Sequence, residues 1–328
     1  MVRDKFPEVH FIANTENVGF SKANNQGVKV AKGEYICILN PDTVVTENTF
    51  IDVLEKADNS DGIGIMGVRL LDGTGHFLAE SKRNIPTPKN SFSKMFRIKI
   101  SKTEDYYASD LGEKEDAYVS ILVGAFMFMQ RSVYNEVSGF DEEYFMYGED
   151  IDLSYKMLKK GLKNYYVGSL TILHYKGEST VRDRVYLERF YGAMQLFYRK
   201  HFRSNIFYDT FINLGIKLSS LTRSFQTTSH YMHAVQEYYL VSTNETLKEK
   251  IQQKISKDVK TISLDKLKKD TTCNREIIFD NEQLSFSDIL GTMERIRCSR
   301  TTFKIRPRGC DFAVGSNSSD CRGDVITF

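Results

Sequence analysis

The chain has 328 residues, 41% of them hydrophobic and 27% charged, which is length enough for two domains and a sizeable core. Lysine plus arginine total 45 against 43 aspartate plus glutamate, a net charge of +2, so the electrostatics disfavour a nucleic acid or a strongly anionic partner. The longest uncharged run, residues 117–130, has 14 residues, short of the roughly 18 to 20 apolar residues a spanning helix needs. The opening Met1-Val2-Arg3-Asp4-Lys5-Phe6-Pro7-Glu8 lacks the apolar stretch of a signal peptide, and the expectation is a cytoplasmic protein.

The apolar run at 9–13 predicts a buried strand that enters a turn-rich loop at 14–19. A helix is expected over 21–32, closed by Gly33. Residues 35–39 are apolar at every position, as in a parallel strand covered on both faces, and the run stops at Asn40-Pro41-Asp42. A helix over 46–57 and a strand over 62–68 complete a right-handed α/β unit built on a mainly parallel sheet. Residues 71–114 read as loops and a lid, 119–130 as strand, 131–137 as a helical turn and 139–145 as a loop. A helix follows over 151–160, and a strand over 165–174. Beyond 182 a long amphipathic stretch runs to about 221, with Leu187, Phe190, Tyr191, Met194 and Phe197 at helical spacing. From about 238 strands and helices alternate again (238–242, 245–255, 259–263, 276–280, 285–297, 303–306), a small second α/β unit. Its first strand leads into Thr243-Asn244-Glu245, without the glycine-rich turn that holds a dinucleotide pyrophosphate. The five cysteines, Cys37, Cys273, Cys298, Cys310 and Cys321, include no C-x-x-C pair and read as reduced, packed thiols.

Three places have the residue types of a chemical site. Asp42 lies just past the carboxyl end of an all-apolar strand, where open α/β sheets bind ligands. A turn or N-cap aspartate is the plain alternative there. Gly148-Glu149-Asp150-Ile151-Asp152 puts three acids at a helix start, where the macrodipole favours ionised carboxylates. One of them is a candidate base, and simple N-capping is the alternative. The preceding Tyr144-Phe145-Met146-Tyr147 suggests a pocket wall that limits water. His174 ends the next strand, where a lone histidine is more often structural than a ligand. A hard cation bridging a diphosphate would use few protein ligands of this kind.

Taken together, Glu16-Asn17-Val18-Gly19-Phe20, Leu39-Asn40-Pro41-Asp42-Thr43, the run from Gly139-Phe140-Asp141 through Gly148-Glu149-Asp150-Ile151-Asp152-Leu153, and His174-Tyr175-Lys176-Gly177-Glu178-Ser179 resemble glycosyltransferase family 2, in its rhamnosyltransferase-like branch. The resemblance covers about residues 1–200. It implies a GT-A fold and inverting, metal-assisted transfer of a sugar from a nucleotide-diphosphate donor to a hydroxyl of a polysaccharide or lipid-linked glycan. By resemblance Asp42 and His174 bind Mg²⁺ or Mn²⁺, and Asn40 stands where the family's D-x-D motif has its first acid. Asp150, with Glu149 beside it, matches the catalytic base. Asn17, Gly19, Asn25, Asn40 and Asp42 line the donor side, and Ser81, Arg83 and Asp152 an acceptor or lid segment.

Against the family pattern the chain opens at the third strand. The expectation is therefore a GT-A domain lacking its first strands over 1–182, a helical connector over 183–235 and a small Rossmann-like domain over 236–328. That last part resembles the soluble domain of exopolysaccharide sugar-phosphate transferases through Asp280, residues 285–293 and Gly315-Ser316-Asn317-Ser318. Phe207, Phe211, Ile212 and Leu214 offer a surface for peripheral association with the inner face of a membrane, with packing between the units as the alternative. The rival functions are an inactive fragment or non-catalytic assembly partner, and a nucleotidyltransferase, which would need a glycine- and lysine-rich loop that the sequence does not show.

Overall fold

The computed structural model describes residues 2–86, 106–176, 184–202, 234–317 and 323–328, with the backbone alone at 184–188. After a helical turn, α1 (Val2–Lys5), the chain forms α2 (Phe20–Val30), β1 (Tyr35–Leu39), β2 (Thr43–Val44), α3 (Thr49–Asp58) and β3 (Ile63–Leu71). Then come β4 (Lys82–Arg83), β5 (Ala117–Val119), β6 (Ile121–Leu122), β7 (Phe126–Gln130), α4 (Arg131–Glu136), α5 (Glu149–Lys159), β8 (Lys163–His174) and α6 (Arg184–His201). The first sheet has the order β1-β7-β3-β8-β2, with β5 also paired to β8. β3 and β8 are parallel, whereas β7 is antiparallel to both β1 and β3. The first sheet is therefore mixed rather than mainly parallel: β1, β3 and β8 share one direction, and β7, β2 and β5 run the other way, with β7 between β1 and β3.

Strand alternation sorts this sheet into two apolar faces. Ile36, Ile38, Met127 and Met129 pack with Val28 of α2 and with Leu153 and Met157 of α5. Phe126, Phe128, Met66, Val68 and Leu70 pack on the opposite face with Val53 of α3. Each such side chain, fully buried, contributes roughly 1.5–3 kcal/mol. The result is a helix-sheet-helix sandwich that holds the carboxyl ends of β1 and β8 at one edge.

Two expectations are corrected. Residues 9–13 form no strand: Val9, Phe11 and Ile12 are exposed, and no described strand lies beside them. A strand's backbone groups need a neighbouring strand to bond, and an apolar sequence alone does not provide one. The run 119–130 is broken rather than continuous, because β6 leaves the main sheet to pair with β4 before the chain passes Gly124 into β7. Of the amphipathic stretch beyond 182, α6 is seen. Residues 203–233, with Phe207, Phe211, Ile212 and Leu214, lie outside the described residues, as do 87–105 of the lid.

The C-terminal part forms β9 (Glu237–Val241), α7 (Glu245–Ile255), β10 (Val259–Thr261), β11 (Arg275–Asp280), α8 (Phe286–Ile296), β12 (Thr301–Arg306), β13 (Phe312–Gly315) and β14 (Asp324–Thr327). The order is β10-β9-β11-β12-β13-β14, parallel from β10 to β12 and antiparallel beyond. Asn244 and Ser285 cap α7 and α8 by accepting from the amides of Leu247 (3.0 Å) and Asp288 (3.0 Å), each worth about 1 kcal/mol.

This sheet is docked on the first without a gap. Leu71, Leu173 and Tyr175 share one core with Ile289, Leu290, Met293 and Ile296 of α8. The fully buried Arg69 donates to Glu294 of α8 at 2.7 Å and to Glu113 at 3.0 Å. Glu47 accepts from the Phe286 and Ser287 amides at the start of α8, at 2.6 and 3.2 Å, the favourable place for a carboxylate.

Candidate active site

Asp42 is delivered by the tight turn after β1. The Asn40 carbonyl accepts from the Thr43 hydroxyl at 2.7 Å, and the Asp42 carbonyl accepts from the Tyr175 amide at 2.9 Å. Pairing of β2 with β8 sets Thr43 opposite His174, which brings Asp42 Oδ1 to 3.3 Å from His174 Nε2. Burial raises the Asp42 carboxyl, but the hydrogen bond and charge of His174 outweigh it and leave the group below its ordinary value. Two residues 132 positions apart are thus joined by strand register.

Asp150 stands in the first turn of α5. Gly148, with φ of 84°, and Tyr147, with φ of 70°, turn the chain sharply into that helix. A Cβ on Gly148 would meet the Ala193 side chain at 3.1 Å, so the left-handed conformation and the close packing both call for glycine. Asp150 Oδ2 accepts from Arg83 Nη2 at 2.6 Å and from the Gly124 amide at 3.1 Å, and Oδ1 accepts from the Ile151 amide at 2.8 Å. The two halves of the site meet through consecutive residues: the Gly124 amide reaches Asp150, while the Ala125 carbonyl accepts from the Asn40 amide at 3.0 Å. Phe20 approaches the same place, lying beside Gly124, and its amide donates to the Phe145 carbonyl at 3.0 Å.

Buried polar atoms without a hydrogen-bond partner among the described residues ring this edge: Asn40 Oδ1, Glu149 Oε2 and His174 Nδ1. Such atoms are costly unless something completes them. Burial, and then the adjacent Asp150 charge, push the Glu149 carboxyl up to about 8 against the pull of its own backbone hydrogen bond and of Arg83. The folded protein therefore holds a proton there that the unfolded chain gives up near the ordinary 4.5. The stability this contributes is complete below the unfolded value and is lost as the pH climbs through the folded one. Glu149→Gln should remove that loss, so its melting temperature, read from about pH 5 to about pH 9, should gain steadily on the wild type. A constant gap between the two curves would contradict it.

The other expected residues divide. Asn17 Oδ1 accepts from the Gly19 amide at 3.1 Å, shaping the loop, and Gly19 needs its φ of 85° and its bare Cα because a Cβ would meet the Phe145 carbonyl at 2.7 Å. Asn25 is committed to the facing loop: its amide nitrogen donates to the Phe140 carbonyl (2.9 Å) and Glu142 (3.0 Å), and its oxygen accepts from the Phe140 amide (3.1 Å). Ser81 is buried under β3, donating to the Leu78 carbonyl (2.6 Å) and accepting from the Leu70 amide (3.2 Å). Asp152 is turned inward, with Oδ1 at 2.6 Å from His201 Nε2 and 3.4 Å from the Tyr144 hydroxyl, which ties α6 to α5. The structure therefore gathers Asn40, Asp42, Arg83, Glu149, Asp150 and His174, and gives Asn25, Ser81 and Asp152 internal partners. The reading of the sequence missed Gly124, whose one signal is a glycine interrupting an apolar run, and His201 and Tyr106, which carry none. A cavity of about 330 Å³ lined by Asn84, Leu111, Tyr118, Leu158 and Lys163 shares no lining residue with this cluster, and the cluster's chemistry outranks it as the site.

Comparison with known proteins adds to this geometry. The family model "Glycosyl transferase family 2" matches residues 1–138, a span that includes Asp42 and Arg83 and ends before Asp150 and His174. The N-acetylglucosaminyl-diphospho-decaprenol L-rhamnosyltransferase of Mycobacterium tuberculosis is 26% identical over 204 residues, covering 55% of this chain and 62% of its own. The rhamnosyltransferase WbbL of Escherichia coli K12 is 28% identical over 168 residues, covering 48% and 61%. The chain thus spans less than two thirds of the length of either relative. Among solved structures, GalNAc-T7 with UDP, GalNAc and Mn²⁺ aligns at a TM-score of 0.37 and 17% identity over 53% of this chain and 34% of that one, too slight a likeness to argue from. No described helix is long and apolar enough to cross a membrane.

Proposed function

We propose, from the match of residues 1–138 to the model of glycosyl transferase family 2, that the chain transfers a sugar, with inversion, from a nucleotide-diphosphate donor to a hydroxyl of a polysaccharide or lipid-linked glycan. The observation that carries the reading is the convergence of Asp42, His174 and Asp150 on one sheet edge, joined through Gly124 and Ala125. Inverting displacement needs a base on one side of the anomeric carbon and stabilisation of the leaving diphosphate on the other. Asp150 supplies the first. The names of the two relatives favour a deoxyhexose such as L-rhamnose as the transferred sugar.

A divalent cation fits the second role. Asp42, just past β1, and His174, at the end of β8, whose Oδ1 and Nε2 lie 3.3 Å apart, would hold it. Mg²⁺ or Mn²⁺ is commonly held by one or two protein side chains and completed by substrate phosphates. When bound, the ion would neutralise charge on the departing diphosphate. In this reading residues 1–182 are the transferase unit, 183–235 a connector and 236–328 a supporting α/β unit.

Calorimetric titration of the chain with dTDP or UDP, with and without Mn²⁺, tests the proposal. Binding should require the ion, and Asp42→Asn or His174→Ala should weaken it by roughly 10-fold or more. Absence of metal-dependent nucleotide binding in the wild type would leave the non-catalytic assembly role as the better reading.

A further inference from the structure

Outside the groups that carry the proposed chemistry, the residue with the most telling surroundings is Arg83. Its guanidinium is buried. Nη2 donates to the Leu122 carbonyl at 2.9 Å as well as to Asp150 at 2.6 Å, and Nη1 donates to the Tyr106 hydroxyl at 3.3 Å. Burial alone would make its charge harder to keep, but the charge of Asp150 more than restores it. Arg83 lies in β4, whose pairing with β6 sets Arg83 opposite Ile121. The same two-stranded ribbon therefore presents both donors to Asp150 Oδ2, the guanidinium from one strand and the Gly124 amide just past the other.

A carboxylate has about four lone-pair sites. Arg83 and Gly124 take both on Oδ2, and the Ile151 amide takes one on Oδ1. Among the described residues one site, on Oδ1, receives no donor. We propose that Arg83 is the positioning residue of the transfer reaction: with Gly124 it ties up Oδ2 and so selects Oδ1 of Asp150 as the oxygen that receives the acceptor's proton. This rests on Asp150 being the base. In the step, the acceptor hydroxyl gives its proton to Oδ1 while its oxygen bonds to the anomeric carbon and the bond to the diphosphate oxygen breaks. The carboxyl is then neutral, and its Oδ2 still accepts from Arg83. Lysine cannot replace it, because one ammonium cannot reproduce the planar fork that meets Asp150, Leu122 and Tyr106 together.

The test compares wild type, Arg83→Lys, Arg83→Ala and Asp150→Asn in Mn²⁺-dependent hydrolysis of dTDP-L-rhamnose to dTDP and rhamnose, with water standing for the acceptor hydroxyl, and melting curves for each. Arg83→Lys should lose roughly 10-fold or more in kcat while the donor KM stays within about twofold. Arg83→Ala should lose more and recover in part when guanidinium is added at concentrations far below denaturing. If Arg83→Ala fails to fold, Arg83→Lys decides alone. Wild-type kcat in Arg83→Lys, or a raised KM at unchanged kcat, overturns the positioning role while an inactive Asp150→Asn leaves the base assignment standing. An active Asp150→Asn, or a wild type that releases no dTDP, removes the base reading and this inference with it.

Discussion

Replacing Asp150 with asparagine should lower turnover by roughly 100-fold or more while nucleotide affinity changes by less than about twofold. Asparagine keeps nearly the same shape and can still accept from Arg83, but it cannot take a proton at neutral pH. The substitution therefore separates chemistry from binding, since the residues proposed for the donor and its metal, Asn40, Asp42 and His174, lie at or just past strand ends and not in α5. Loss of the charge also leaves the buried Arg83 guanidinium without its counter-ion, a change that costs up to several kcal/mol when a buried pair is broken. A melting curve must accompany the kinetics, and the rate comparison belongs at a temperature where both proteins are folded. Retained turnover would exclude Asp150 as the base whatever its surroundings suggest.

The second large effect concerns the seam between the two sheets. Leu173 is fully buried in the core shared with α8, and it neighbours His174 directly. Leu173→Ala should cost about 2–5 kcal/mol, from lost burial plus the cavity left behind, read as a shift of the denaturant midpoint. Because the same strand end carries His174, the variant should also bind Mn²⁺ with nucleotide less tightly. A substitution of equal burial in the other half of the molecule, Ile251→Ala in α7, should match the stability loss without touching nucleotide binding. Ile251 packs with Leu240, Leu247 and Val259 in a core separate from the one that holds Leu173. Equal losses of binding in both variants would mean that the seam has no special link to the site.

How much of this was legible beforehand can be judged element by element. The strand at β1 and the helices α2, α3, α5, α7 and α8 were readable because each shows one clean periodicity over enough residues, and their observed ends fall within a few residues of expectation. β13 and β14 were not, since Phe312–Gly315 and Asp324–Thr327 are short and gain their stability from pairing with each other. The strand expected at 9–13 failed for the complementary reason: its composition was right, but no described neighbour bonds to it. For the site, Asp42, Asp150 and His174 stood out through their places at strand and helix ends. Asp152 shares the helix start with Asp150, Asn25 and Ser81 enter only through the family resemblance, and nothing local in the sequence shows that the three turn toward His201, Phe140 and Leu70.

Spacings of two to four residues, with the conformational limits of glycine and proline, set the type and order of most elements and their apolar faces. Packing between elements alone puts β7 between β1 and β3, brings Arg83 and Gly124 onto one oxygen of Asp150, and closes α8 over Arg69 and Leu173. These contacts join residues tens to hundreds of positions apart. Their energies arise from burial and from hydrogen bonds that exist only once the sheet has set the register, so no window of the chain contains them.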